Sequence, residues 1–252
     1  MIQIGGLQKL TLIDFPGRLA ATVFLCGCNF RCPWCYSREL VLPGEIEKQP
    51  KISEKELFDF LQERKDLLEG VVVCGGEPTI HKELPEFIGK IKKMGYLVKL
   101  DTNGSNPKML RELIGRDTKS IAKRDSLSSL TSLPRSGSSL IDYVAMDVKL
   151  PKERYKEVLR VDAENIEKSV KVLKNSGINY EFRTTVVPTV LDKNDIIEIA
   201  KWLSPAKRYY LQNFRPEKTI DPKFEKIRPY PDEYLSEIKK AISSFFEVCQ
   251  IR

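Results

Sequence analysis

Cys28, Cys32 and Cys35 are spaced CxxxCxxC in the stretch FLCGCNFRCPWCYS, and with Cys26 they place four of the chain's six cysteines within ten positions. Thiols this crowded, with Cys74 and Cys249 standing alone elsewhere, make a poor disulfide framework and point to metal or redox chemistry. Thiolates suit zinc and iron–sulfur clusters alike, and softness does not separate the two. A structural zinc takes four closed ligands, which Cys26, Cys28, Cys32 and Cys35 would have to supply, because the single histidine, His81, lies 46 residues beyond Cys35. A cubane held by three cysteines leaves one iron open for chemistry. Cys26 falls at the end of an apolar strand pattern, where it is expected to pack, while the three later thiols sit in a loop that can wrap onto one point.

The elements that must carry this loop are legible as strands alternating with helices. Apolar β-rich runs near 19–26, 71–74, 96–101, 142–147 and 180–187, with a shorter one at 208–212, are each followed by a polar or glycine-bearing turn, the pattern of βα units in a parallel sheet. Ser53 and Glu56 form a capping box ahead of Leu57, Phe60 and Leu61. Leu84, Phe87, Ile88, Ile91 and Met94 repeat that helical spacing up to Gly95, as do Ile166, Val170 and Leu173 before Gly177, and Ile196, Ile199, Ala200 and Leu203 before Pro205. A last helix is predicted around 232–246, burying Leu235, Ile238, Ile242 and Phe245. Residues 116–140, rich in serine and basic side chains with no sustained period, read as a flexible insertion between a helix and the following strand. In a barrel of parallel strands such connections gather at the end away from the chemistry.

Composition excludes more than it assigns. The net charge of +7 is small against 42 basic and 35 acidic side chains, and residues 116–140 alone carry five basic and two acidic groups, so nucleic acid is not an expected partner. No apolar run approaches the roughly 20 residues of a membrane span, and the N-terminus lacks a basic region followed by an apolar core, so a soluble, cytoplasmic protein is expected. His81, at a helix start, is expected to be at the surface or locally bonded, and as the sole imidazole it makes a Ser-His-Asp mechanism improbable. Cys74 reads as a small packing residue and Cys249 as inert.

CxxxCxxC with an aromatic, Trp34, before the last cysteine resembles the cluster motif of the radical S-adenosylmethionine superfamily. GLQKLTLIDFPG before the first run, GGEPT after the second, DTNG after the third, MDVK after the fourth and FRTTVVP along the fifth are similar to activating enzymes of glycyl-radical proteins, and among these to the anaerobic ribonucleoside-triphosphate reductase activating proteins in their longer form. The likeness covers about residues 1–216, with 116–140 as a departure and 217–252 as an extension. It implies one domain, a partial (β/α)6 TIM-type barrel of parallel strands with a core near 19–216 and a C-terminal helix packed outside. It further implies a [4Fe-4S] cluster on Cys28, Cys32 and Cys35, which cleaves S-adenosylmethionine reductively to a 5′-deoxyadenosyl radical.

Cofactor contacts follow by the same resemblance. Gly75, Gly76 and Glu77 fall at the strand end that meets the methionyl amine, Asp101 and Asn103 near the ribose, and Lys149 and Arg183 toward the methionyl carboxylate, with Trp34 beside the cluster. Asp101, Thr102, Met146 and Asp147 resemble a monovalent-cation site. The implied partners are a glycyl-radical enzyme, the anaerobic ribonucleoside-triphosphate reductase, and a low-potential donor such as flavodoxin or ferredoxin. A radical enzyme acting on another peptide or small molecule is the rival within the superfamily, and a non-catalytic zinc protein is the rival outside it.

Overall fold

The structure, a computed structural model, describes residues 2–115 and 139–252. Its eight strands, β1 (Ile4–Thr11), β2 (Ala20–Leu25), β3 (Gly70–Gly75), β4 (Leu97–Thr102), β5 (Tyr143–Asp147), β6 (Asn179–Val186), β7 (Ala206–Asn213) and β8 (Phe246–Ile251), form one sheet in simple sequential order. Neighbours from β2 to β8 pair in parallel, and β1 pairs antiparallel with β2. Among the described residues nothing joins β8 back to β1, so the sheet is open. It curls nonetheless: Phe15, in the turn after β1, lies 6.2 Å from the ring of Tyr143 in β5.

All six expected strands are present, and side-chain caps at Ser53, Asn106 and Asp192 start three of the helices between them. After the cysteine loop come two short turns, α1 (Arg38–Val41) and α2 (Pro43–Ile46), then α3 (Glu54–Glu63), whose Ser53–Glu56 capping box is formed in both directions. The others are α4 (Leu84–Lys93), α5 (Pro107–Ile114), α6 (Tyr155–Leu159), α7 (Glu164–Asn175), α8 (Lys193–Leu203) and α9 (Asp232–Ile242). Their apolar stripes, such as Leu84, Phe87, Ile88 and Ile91, are buried against the sheet. At roughly 1.5–3 kcal/mol for each large side chain, that burial rather than propensity holds the helices in place.

Two strands escape a reading by periodicity. β1 begins Ile-Gly-Gly and shows no clean alternation of burial, so its strand state comes from pairing with β2. β8 takes over where a helix is expected to continue. α9 stops at Ile242, Ser243–Phe245 form a single 3-10 turn, and Phe246 opens a strand whose ring stacks on Tyr209 at 4.7 Å. The serine-rich segment lies, over 116–138, outside the described residues, and so does the expectation attached to it.

The sheet's two faces differ in kind. Val71, Val73, Val98, Leu100, Val144, Met146, Phe182 and Leu211 belong to the main core under the helices. Strand alternation turns Thr22, Val72, Cys74, Lys99, Asp101, Tyr143, Asp147, Glu181 and Arg183 to the inner face. The inner face is closed at one end by Phe15, Ala20, Val72 and Tyr143 and open at the other, where the strand-to-helix loops gather.

Candidate active site

Three thiols separate from the fourth within the cysteine loop. Cys28, Cys32 and Cys35 line one cavity of about 460 Å³ at the strand ends, a size that holds a small-molecule cofactor. Cys26 does not line it. Its side chain, 4% exposed, lies against Gly5, where even a Cβ would approach the thiol to 2.6 Å. The expected packing role of Cys26 is thus what the fold shows, and a closed four-thiolate zinc site is not assembled. Among the described residues no group of three or more His, Cys, Asp or Glu side chains is arranged around a single ion. Three thiols on one cavity wall are a donor set of the kind a cubane uses, since it takes one thiolate per iron and needs its ligands apart from one another. Phe30 N donates to Cys28 Sγ at 3.3 Å, and Cys35 N closes the turn onto Cys32 O at 3.0 Å. Burial pushes the Cys32 thiol up to about 12, so ligation there must expel a proton.

His81 is half-buried and its bond is long-range rather than local: Nε2 meets Cys26 O at 2.9 Å, 55 residues away in sequence, and ties the start of the cysteine loop to the turn after β3. The glycines of GGEP serve a close approach of backbone to backbone. A Cβ on Gly75 would meet Leu25 O at 2.2 Å and one on Gly76 would meet Gly27 O at 2.0 Å. Gly76 N donates to Leu25 O and Glu77 N to Gly27 O, carrying the β2–β3 pairing past the strands.

Glu77 departs from its expected role. It is fully buried, it is absent from the cavity lining, and four donors saturate it: Thr79 N (3.0 Å), the Thr79 hydroxyl, Thr102 Oγ1 (2.7 Å) and Asn103 N (2.6 Å). Burial raises its pKa even against those donors. A carboxylate on the wrong side of the strand end cannot face a ligand's amine, so Glu77 fastens the β3 turn to the β4 turn instead. Asn103 lines the cavity, but its Nδ2 is turned to the cysteine loop, 3.0 Å from Asn29 Oδ1 and 4.0 Å from Cys28 Sγ.

The opposite wall is a row of alternating charge. Lys99 pairs with Asp101, which pairs with Arg183 (2.9 Å), which pairs with Asp147 (2.9 Å), which pairs with Lys149 (3.3 Å). The Arg183 side chain is 13% exposed and braces β4 and β5 from β6. Burial opposes the charge on Asp147, yet Arg183 and then Lys149 outweigh it and hold the carboxyl at about 2. Burial likewise opposes the charge on Lys149, and Asp147 and the nearby thiols of Cys32 and Cys35 override it. The row counts three cations against two carboxylates, but Lys99 is buried off the cavity wall, where Lys149 and Arg183 meet Asp101 and Asp147. A carboxylate ligand would find Lys149, Arg183 and Arg215 among the lining cations able to receive it.

Of the residues singled out from sequence, Trp34, Gly75, Gly76, Asp101, Thr102, Asn103, Asp147, Lys149 and Arg183 join the three thiols around this cavity. Glu77 and Met146 do not. Met146 is fully buried on the outer face beside Gly104, and Asp101 and Asp147 are already held by the chain's own cations, so the four side chains of the expected cation site are not brought together. Cys74 lines the cavity instead of merely packing, and Asp14, Tyr36, Gln212 and Arg215 line it too. The signal for Cys74 is its place two residues from Val72 on an inward face. Asp14 comes from the LIDFPG turn and accepts from Thr22 Oγ1 at 2.8 Å, a contact no local pattern announces.

Comparison with known proteins agrees with this geometry. A candidate glycyl-radical enzyme activating enzyme of Methanocaldococcus jannaschii is 32% identical over 99% of this chain and 95% of its own length. Among solved structures, a domain of pyruvate-formate lyase-activating enzyme from Bacteroides vulgatus superposes with a TM-score of 0.52 at 16% identity, covering 73% of this chain and 98% of that domain. Streptococcus suis SuiB bound to S-adenosylmethionine superposes with a TM-score of 0.59 at 13% identity over 88% of this chain, which spans about half of SuiB's length (48%). These two share the fold. Residues 22–203 match the model of the radical SAM superfamily, and the chain belongs to that superfamily.

Proposed function

We propose that this enzyme generates a glycyl radical on a partner protein, the anaerobic ribonucleoside-triphosphate reductase, in the cytoplasm, drawing its electron from a low-potential donor such as flavodoxin or ferredoxin. The observation that carries the reading is one cavity lined by three thiols and by the cations Lys149 and Arg183. Support also comes from the full-length likeness to a candidate activating enzyme.

Cys28, Cys32 and Cys35 would hold a [4Fe-4S] cluster with one iron free, and the backbone of Gly75 and Gly76 with Asp101 and Asn103 would surround S-adenosylmethionine. When bound, the cluster supplies the electron that cleaves S-adenosylmethionine reductively, releasing a nucleoside radical able to take a hydrogen atom from a glycine. The chain's own contribution is orientation. Lys149 and Arg183 neutralise the methionyl carboxylate, Lys149 as a point charge and Arg183 with whatever of its fork Asp101 and Asp147 leave free. Positioning the cofactor this way converts electron transfer into an event within one complex. Glu77 acts at one remove, holding Asn103 and the β3 turn in register. The monovalent cation has no support in this geometry and forms no part of the proposal.

Anaerobically reconstituted protein given dithionite is expected to release 5′-deoxyadenosine and methionine, and mixing with the reductase is expected to give a glycyl-radical signal by electron paramagnetic resonance. Nucleoside release without that signal would assign another peptide or small molecule as substrate. No release from protein with an intact cluster would end the radical reading.

A further inference from the structure

The segment between β7 and α9 lies beyond residues 22–203, which match the superfamily model, yet it is packed onto the cysteine loop. Its ends are tied together by Asn213 Nδ2 donating to Tyr230 O at 2.9 Å, so the sheet does not need its middle to bridge a distance. That middle dips inward. Thr219 is fully buried, Ile220 N donates to Cys35 O at 3.0 Å, and Asp221 N donates to Pro33 O at 2.9 Å. Asp221 then caps a 3-10 turn, Pro222–Lys226, through Lys223 N at 3.0 Å. The turn aims Phe224 at Trp34, ring centroids 6.2 Å apart, and against Phe214 at 6.4 Å.

Two adjacent backbone donors therefore end on the CPWC turn, and an aromatic pair covers its outer side. Cys32 and Trp34 are 6% and 5% exposed. The opposite side of the cysteine loop is held through Asn29, whose side chain bonds Asn103 and Ser105. A loop gripped on both flanks keeps its carbonyls, and with them its thiols, in fixed positions before any ligand arrives, which is the condition for a preorganised site.

We propose that residues 214–227 form a strap that holds the Cys32–Cys35 turn in its ligating shape and keeps solvent and oxidants from it, with Phe224 as the positioning residue. The strap rests on Cys32 and Cys35 being cluster ligands. Its test uses the full-length chain in two states, with Phe224→Ala, Phe224→Leu and Ile220→Pro compared with the parent. Ile220→Pro removes the N–H that reaches Cys35 O, along with the Ile220 side chain and the freedom of φ there, but leaves the aromatic pair, so it reads the strap even where truncating Phe224 loosens the core.

In cluster-free protein, iodoacetamide labelling of Cys32 and Cys35, scored by peptide mass against Cys249 as internal reference, is expected to quicken by about five-fold or more in Phe224→Ala and Ile220→Pro, the signature of local opening. In anaerobically reconstituted protein exposed to air, the visible absorbance is expected to bleach about three-fold faster in the same variants, with Phe224→Leu close to the parent. Unchanged labelling and unchanged bleaching in both variants, with far-ultraviolet circular dichroism like the parent's, would overturn the strap. A parent protein that never takes up a chromophore sinks the cluster assignment, while the labelling ratio still tests the strap by itself.

Discussion

Two acid–base clusters stand on the inner face of β6, two residues apart, and they have opposite fates. Around Arg183 the cluster borders an open cavity, which Asp101, Asp147, Lys149 and Arg183 all line. Glu181 does not line it: the carboxylate is fully buried, Arg252 donates to it through both terminal nitrogens (2.8 and 3.2 Å), Tyr143 Oη donates at 2.9 Å, the Arg252 guanidinium lies 3.4 Å above the Tyr210 ring, and Arg208, close to Tyr143, has a buried Nη1 with no hydrogen-bond partner among the described residues. Both set arginine against carboxylate. What differs is the access of a ligand, so one cluster reads as a site and the other as a seal.

Mutations can break that contrast. The largest effect is expected from Cys28→Ala, Cys32→Ala and Cys35→Ala, each of which should lose or severely weaken the brown chromophore and abolish 5′-deoxyadenosine release. Cys26→Ala, whose thiol lies outside the cavity, should keep both. Iron and sulfide content alongside the visible spectrum checks this.

Arg183→Met should come next, because it removes the cation shared by Asp101 and Asp147 while Lys99 and Lys149 stay with them, about 2–3 kcal/mol in thermal or denaturant unfolding. It should also weaken S-adenosylmethionine binding by about 10- to 100-fold, the size of a lost charge-assisted contact. Arg252→Ala sharpens the comparison from the other side. With its side chain 34% exposed, it should cost about 2 kcal/mol of stability and leave cofactor affinity within about two-fold of the parent. Equal losses of affinity in the two variants would erase the distinction between site and seal.

Glu77→Gln should have the smallest effect, about 1 kcal/mol or somewhat more, since the new amide nitrogen must face a donor where an oxygen stood. Isothermal titration should then show nearly parental cofactor binding, as befits a side chain turned from the cavity. A loss of binding as large as that of Arg183→Met would restore Glu77 to the ligand's amine and overturn its placement here.

Much of this molecule is written locally. Apolar runs and 3.6-residue stripes place six strands and their helices because each must bury one face, and a Ser53–Glu56 capping box or a glycine at a positive φ, such as Gly95, marks an end without help from distant residues. The three cysteines stand out by type and spacing and Gly75, Gly76, Asn103 and Lys149 by position at strand ends, whereas Arg183, inside β6, is reached only through the family resemblance. β1 and β8 do not, because pairing with a neighbour, not their own pattern, makes them strands.

The sequence by itself determined the kind of ligand this chain can hold, since three clustered thiols in a chain with one histidine leave few chemistries open. Only the tertiary structure decided which groups serve that ligand. It turned Cys26 and Glu77 away from the cavity, brought Asp14, Tyr36, Cys74 and Arg215 to its wall, and opened one cluster on β6 to the cavity while closing the other off from it. The physical reason is that direction and charge balance depend on partners far apart in the chain, such as Asp101 and Arg183, or Glu181 and Arg252, which no local spacing relates.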